Sequence, residues 1–199
     1  MCIILPEQDM TVSIAAGYRE PGEILDILWE KLLPAIDPAR LDPGKETELE
    51  QTLAGLQIPV VEGAARSERG AEASGRTFAL ADTGSGIRTL RFCFESPAPV
   101  IEITTQKGTL RLPVGYGQWL TSETGYDPDG FSCDNVIFFG SAAACGAWQE
   151  DEYVLKLVYT RTPFVDTLRV RFEGDVLRGT YSHAVKYGRQ GYELLGTVL

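Results

Sequence analysis

A chain of 199 residues with 44% hydrophobic and 23% charged side chains can bury a sizeable core, in one large domain or two small ones, and is too apolar for disorder. Its formal net charge of −10 repels phosphate, which excludes nucleic acid and anionic membranes as expected partners. No run approaches the ~18 apolar residues of a bilayer span, and the amino terminus lacks a signal-peptide pattern, so the expected compartment is the cytoplasm.

The chain begins with "CIIL" and "TVSIAAG", apolar and β-branched, around a "PEQD" turn, which predicts a hairpin. From Pro21 onward Leu25, Leu28, Trp29, Leu32 and Ile36 recur at helical spacing, with Glu23, Asp26, Glu30 and Lys31 on the other face. Pro34 terminates or bends that helix. A second, weaker helix spans about 45–56, with Leu49, Leu53 and Leu56 on one side. The stretch "EGAARSERGAEAS" from Glu62 to Ser74 is small, polar and aperiodic, and reads as a linker or loop. Charge divides nearby: residues 1–63 carry 12 acids against 4 bases, the remainder 16 against 14.

From residue 75 the period becomes two. "GIRTLRFCFE" aligns Leu90, Phe92 and Phe94, "EYVLKLVYT" aligns Tyr153, Leu155, Leu157 and Tyr159, and "DTLRVRFEGD" aligns Leu168, Val170 and Phe172. Further strands are expected near 77–82, 99–105, 108–114, 135–143, 176–185 and 192–198. Short alternating strands with turns and no intervening helices predict an antiparallel barrel or curled sandwich of eight to nine strands. The expected fold class is therefore mainly β, α+β overall, with residues 1–62 as hairpin and helices and residues 63–199 as the barrel-like domain.

Chemistry-bearing motifs are scarce. No serine sits in S-x-x-K or G-x-S-x-G, and a Ser-His-Asp triad would have to use His183, the chain's single histidine. His183 shares strand parity with Leu177, Tyr181 and Val185 and reads as a structural residue facing a barrel interior or rim. Cys2, Cys93, Cys133 and Cys145 form no C-x-x-C pair and are expected to be reduced and mostly buried. Asp127, Asp129 and Asp134 crowd one loop, but Gly130 comes too early and the closing glutamate is missing, so no calcium site is expected. "DTGSG" at 82–86 reads as a hairpin turn rather than a phosphate cradle. No catalytic residue, metal or cofactor is assigned.

Tyr116, Trp119, Tyr126, Phe131 and Trp148 gather around the least regular stretch, 114–148. Aromatic walls with a few polar groups are how barrels hold small ligands, which makes Tyr116, Trp119, Tyr126 and Trp148 the candidate ligand-binding residues. Core packing explains the same residues and is the preferred reading.

Several segments taken together resemble the region behind the last catalytic motif of bacterial β-lactamase-related, penicillin-binding-protein-like serine hydrolases. They are "LPEQDMTVSIAAG…ILDILWEKLLPAI", "LEQTLAGLQIP", "SGRTFAL", "VGYGQWL" and "GAWQEDEYVLKLVYTRTPFVDTLRVRFEGD". The resemblance covers nearly the whole chain. That family's S-x-x-K, Tyr-x-Asn and Lys-Thr-Gly or His-x-Gly motifs are absent, so the resemblance implies a chain that starts just after the last catalytic strand and a non-enzymatic accessory domain. Such a domain would pack on, or cover the cleft of, a hydrolase domain carried by another chain. The expected interaction face is Leu25, Leu28, Trp29 and Leu32, which self-association would also cover. The alternative is a small-ligand-binding β-barrel. An enzyme using carboxylates that the sequence does not place in space remains a further reading.

Overall fold

The computed structural model describes residues 1–14, 21–36, 46–106, 108–123, 140–160, 162, 164–184 and 191–199. The chain divides into two compact units, Met1–Pro59 and Val60–Leu199.

In the first unit, β1 (Cys2–Leu5) and β2 (Met10–Ser13) form an antiparallel hairpin in which Cys2 faces Ser13 and Leu5 faces Met10. A 3-10 turn over Pro6–Gln8 joins them, and Asp9 closes it in the left-handed region at φ 48°, which aspartate tolerates better than most residues. Helix α1 (Pro21–Ile27) runs on through a π-helical turn at Leu28–Leu32 into α2 (Leu33–Ala35). Pro34 enters near the end of this run, and the helix stops after Ala35, where Ile36 leaves helical geometry. Helix α3 spans Glu46–Ala54.

Among the described residues the second unit holds α4 (Glu68–Ala73) and ten strands: β3 (Thr77–Leu80), β4 (Ile87–Cys93), β5 (Val100–Thr105), β6 (Thr109–Pro113), β7 (Leu120–Glu123), β8 (Ser141–Gln149), β9 (Glu152–Tyr159), β10 (Val165–Glu173), β11 (Val176–His183) and β12 (Gly191–Val198). They form one antiparallel sheet in the order β6-β5-β4-β3-β12-β11-β10-β9-β8-β7, curled into a nearly closed barrel. Among the described residues, strands β6 and β7 are its two edges and lie near each other across a seam without a ladder between them. The expected antiparallel barrel is therefore present. A further strand, β7, is four residues long and was not foreseen; of the expected strand 135–143, residues 135–139 lie outside the described residues and 141–143 open β8.

Period-two alternation builds the interior. Leu90 and Phe92 of β4, Tyr153, Leu155, Leu157 and Tyr159 of β9, and Leu168, Val170 and Phe172 of β10 are all buried, while Arg169 and Arg171 face outward. Strand β8 departs from this pattern, because "SAAACGAW" is buried on both faces. Ala142, Ala144 and Trp148 point inward, whereas Cys145 and Ala147 pack with Val61 and Val154 on the outside. The chain at 60–64 lies along that outer face as a strap. Ala64 exchanges two backbone hydrogen bonds of 2.8 Å with Trp148, and the Val61 amide donates to Cys145 Sγ at 3.4 Å. The stretch from Glu62 to Ser74 is thus part of the packed unit rather than a linker.

Among the described residues, no helix is long and apolar enough to cross a membrane. Cys145 is buried, Cys93 half-buried and Cys2 exposed, each a free thiol; Cys133 lies outside the described residues.

Candidate functional site

The meander gives the barrel two mouths. At one of them β4 ends, β8 turns into β9 and β10 turns into β11. Six aromatic side chains, Phe78, Phe92, Phe94, Trp148, Tyr153 and Phe172, interlock there, with ring centroids 4.9 to 6.1 Å apart. Most of the pairs are tilted or edge-to-face, the arrangement that ring quadrupoles favour. Burial pushes the Tyr153 phenol well above its ordinary pKa, so it stays protonated. Gly146 makes room for it, since a Cβ there would lie 2.8 Å from the Tyr153 ring carbon that bears the hydroxyl.

Helix α4 covers this mouth and is tied to β10 by Arg69 Nη1 donating to the Phe172 carbonyl at 3.2 Å. Between helix and aromatics lies a partly open pocket of about 240 Å³, lined by Ala65, Arg66, Ser67, Gly70, Ala71, Phe94, Glu95 and Trp148. Gly70 lets the helix approach the indole closely. A Cβ at that position would fall 2.5 Å from the Trp148 ring, so even alanine would force the helix off the indole. The resulting cleft has an apolar aromatic wall, with Arg66 and Glu95 exposed at its edge.

The opposite mouth is polar. All five buried polar residues among those described, Ser85, Thr105, Ser141, Asp166 and His183, lie at that end of their strands or in the β3–β4 connection. Asp166 and His183 face each other across β10 and β11. Asp166 is 1% exposed. Its Oδ2 accepts hydrogen bonds from the hydroxyls of Tyr159 at 2.9 Å and Tyr181 at 2.8 Å, and its Oδ1 accepts from His183 Nδ1. Burial first, and the Asp166 charge second, hold both phenols protonated far above their ordinary pKa, which keeps them as donors. Phe164 stacks on the imidazole at 5.2 Å, and Tyr181 stacks on Tyr192 at 6.1 Å.

Of the residues expected to bind a ligand, the structure puts only Trp148 on the pocket. Tyr116 is exposed and donates its hydroxyl to the Gly63 carbonyl at 3.1 Å. Trp119 packs half-buried against the outer cluster of Val61, Cys145, Ala147 and Val154. Tyr126 and the loop of Asp127, Asp129 and Asp134 lie outside the described residues. The expected interaction face is split: Leu28 is buried and Leu25 half-buried, whereas Trp29 and Leu32 are exposed. Asp166 was not foreseen, although it shares strand parity with Leu168, Val170 and Phe172, and an acid on the apolar side of a strand is a readable signal. Phe94, Gly70 and Arg66 were missed as pocket residues because 62–74 read as a linker. No group of three or more metal-ligating side chains occurs among the described residues.

No family model matches the chain, and no curated protein matches it. Solved structures do. A fatty-acid-binding protein from brain tissue of Drosophila melanogaster is 9% identical, over 63% of this chain and 99% of its own, with a TM-score of 0.44. A Schistosoma mansoni fatty-acid-binding protein in complex with arachidonic acid is 8% identical, over 66% and 99%, with a TM-score of 0.45. A secretory abundant heat soluble protein from Ramazzottius varieornatus is 8% identical, over 70% and 98%, with a TM-score of 0.44.

These findings correct the likeness to β-lactamase-related serine hydrolases, and with it the accessory, cleft-covering role. The solved structures named above are fatty-acid-binding and heat-soluble proteins, and none of the three is a domain appended to a hydrolase. The physical reason lies in what the matched positions do. Gly146 and Trp148 of "GAWQEDEYVLKLVYT" and the alternating apolar residues after them meet packing demands of this barrel, whatever its kinship.

Proposed function

We propose that the chain is a small-ligand-binding β-barrel protein whose ligand, a compact planar apolar or aromatic molecule, occupies the cleft between α4 and the Phe94–Trp148 wall. The observation that carries this reading is that cleft of about 240 Å³, with an aromatic wall and a few charged groups at its edge. Ligand pockets typically combine apolar lining with a small number of placed polar groups. The volume lies just below the ordinary range of ~300–1,000 Å³, which limits the occupant to a ring or two. Arg66 and Glu95 would meet polar substituents left at the opening. The role is binding, and no residue is assigned a catalytic part. A cytoplasmic setting fits the free thiols of Cys2, Cys93 and Cys145.

The test is a titration with indole followed by the Trp148 indole N–H and Gly70 amide resonances. Saturable shifts at both are expected, and Ala71→Phe should abolish them. Ala71 is exposed on the helix, so the larger ring fills the cleft without disturbing the core. Absence of binding, or equal binding by Ala71→Phe, would sink the reading.

A further inference from the structure

Resting on the cleft beneath α4 as the ligand site, we infer that its occupant is an aromatic α-amino acid in its zwitterionic form. The ring lies against Phe94 and Trp148, the α-carboxylate meets Arg66, and the α-ammonium meets Glu95.

The argument starts from two opposite charges that the fold brings to one opening. Arg66 comes from the segment leading into α4, and Glu95 from the residues just after β4. Both line the same cleft of about 240 Å³, together with Ser67. Among the described residues neither makes an ion pair or a hydrogen bond, with the other or with any neighbour. Arg76, Arg91, Arg169 and Arg178, by contrast, each hold a carboxylate on the barrel surface. A cation and an anion that line one opening without bonding leave room for a group to sit between them. Ser67 adds a third contact. It precedes the first residue of α4, is half-buried, and its hydroxyl makes no capping bond to the helix. That hydroxyl is free to donate to a carboxylate or accept from an ammonium.

Charge selects among ligands that share the ring. Indole fills the apolar part and leaves both charges to water. An aromatic acid satisfies Arg66 but brings its carboxylate beside Glu95, and an aromatic amine does the reverse. A group with both signs on neighbouring atoms meets the two without repulsion, and an ammonium and a carboxylate on one carbon make a compact group of that kind. The volume admits a ring or two, so the head group follows the ring after a short link, as in phenylalanine, tyrosine and tryptophan. Arg66 and Glu95 are exposed, so each contact is screened and contributes selectivity more than affinity.

The experiment titrates the whole chain, labelled with ¹⁵N, and follows the Trp148 indole N–H and the Gly70 amide. The probes are indole, tryptamine, indole-3-propionate, L-tryptophan and N-acetyl-L-tryptophanamide, at neutral pH in ~0.15 M salt, which screens non-specific attraction to the acidic surface. Each charge contact should contribute roughly threefold, the scale of an exposed ion pair. L-tryptophan should therefore bind about tenfold more tightly than indole, with the singly charged probes between them. The N-acetyl amide, which carries neither charge and stands for a residue inside a peptide, should bind no more tightly than indole. In Arg66→Gln and in Glu95→Gln the preference for L-tryptophan over indole, measured within the same variant, should fall about threefold. Both side chains are exposed, so neither change disturbs the core. Indole binding with no preference for L-tryptophan, an equally tight N-acetyl amide, or a preference unchanged in both variants would each overturn this inference and leave the cleft standing. Absence of binding by every probe would remove the cleft and the inference together.

Discussion

At one mouth of the barrel six aromatic rings meet under a short helix. At the other a carboxylate, an imidazole and two phenols are bonded into one cluster. The same ten-strand meander and the same alternation produce both. What differs is the residue type placed on the inward parity at the last position of each strand: Trp148, Phe172 and Phe92 at one end, Tyr159, Asp166 and His183 at the other. The first end is held by area removed from water and by ring geometry, neither of which depends strongly on any single hydrogen bond. The second depends on every member of its cluster being present, because a partly satisfied buried network is costly. The alternating pattern thus fixes where the interior is, and the terminal residues decide the chemistry of each opening.

The comparison can be broken hardest at the polar end. Asp166→Ala leaves two buried phenols and an imidazole without their acceptor, and a loss of about 3–5 kcal/mol is expected, read by urea unfolding. Trp148→Ala at the aromatic end should cost about as much, ~3–5 kcal/mol, by opening a cavity, and should also abolish indole binding. The two variants part company in an indole titration, where the second loses the cleft beneath α4 and the first, where folded, keeps it.

Alkali sharpens the contrast. Tyr153 at one end and Tyr159 and Tyr181 at the other have phenol pKa values raised in the folded chain. A raised folded pKa means that the native state holds protons the unfolded state has released. Their contribution is therefore complete below about pH 10 and is lost as pH climbs past it. Each should lower stability by about 1.4 kcal/mol per pH unit in that window. Unfolding should coincide with the ionisation of these buried phenols, a later step than that of exposed tyrosines such as Tyr116, and Tyr153→Phe should remove about a third of the slope. The smallest effect is expected outside the barrel. Arg169 pairs with Glu152 at 2.8 Å on the solvent face, and Arg169→Ala should cost no more than about 1 kcal/mol, less at high salt.

How much of this could be read from the residues follows from the same contrast. Strands such as "DTLRVRF" announce themselves, because one face is buried and the other wet. Strand β8 did not, since the strap at 60–64 buries its outer face as well and small residues replace alternation. Helix α4 is only six residues long, and its closest approach to the indole uses a glycine, so neither period nor composition marked it. The cleft, made by that helix and by Phe94 and Trp148 more than fifty positions apart, was invisible for the same reason. His183 was placed correctly at the interior or rim. Its partner Asp166 pairs with it in the ladder and carries the parity of its apolar neighbours, but the pairing of β10 with β11 is what brings the two together.

The seam between β6 and β7 has a kinetic consequence. A fully closed ladder has nowhere to begin unravelling, whereas among the described residues this sheet ends at two strands that are each paired on one side only. Their outer amides should exchange with heavy water first, and opening should travel inward from them through β5 and β8 before it reaches β11 and β12. Foreign strands are discouraged there by brevity and by chemistry: β7 is four residues long, and β6 carries Arg111 and ends at Pro113. The barrel thus unzips from a chosen place, and the strands that carry Asp166 and His183 are among the last to be released.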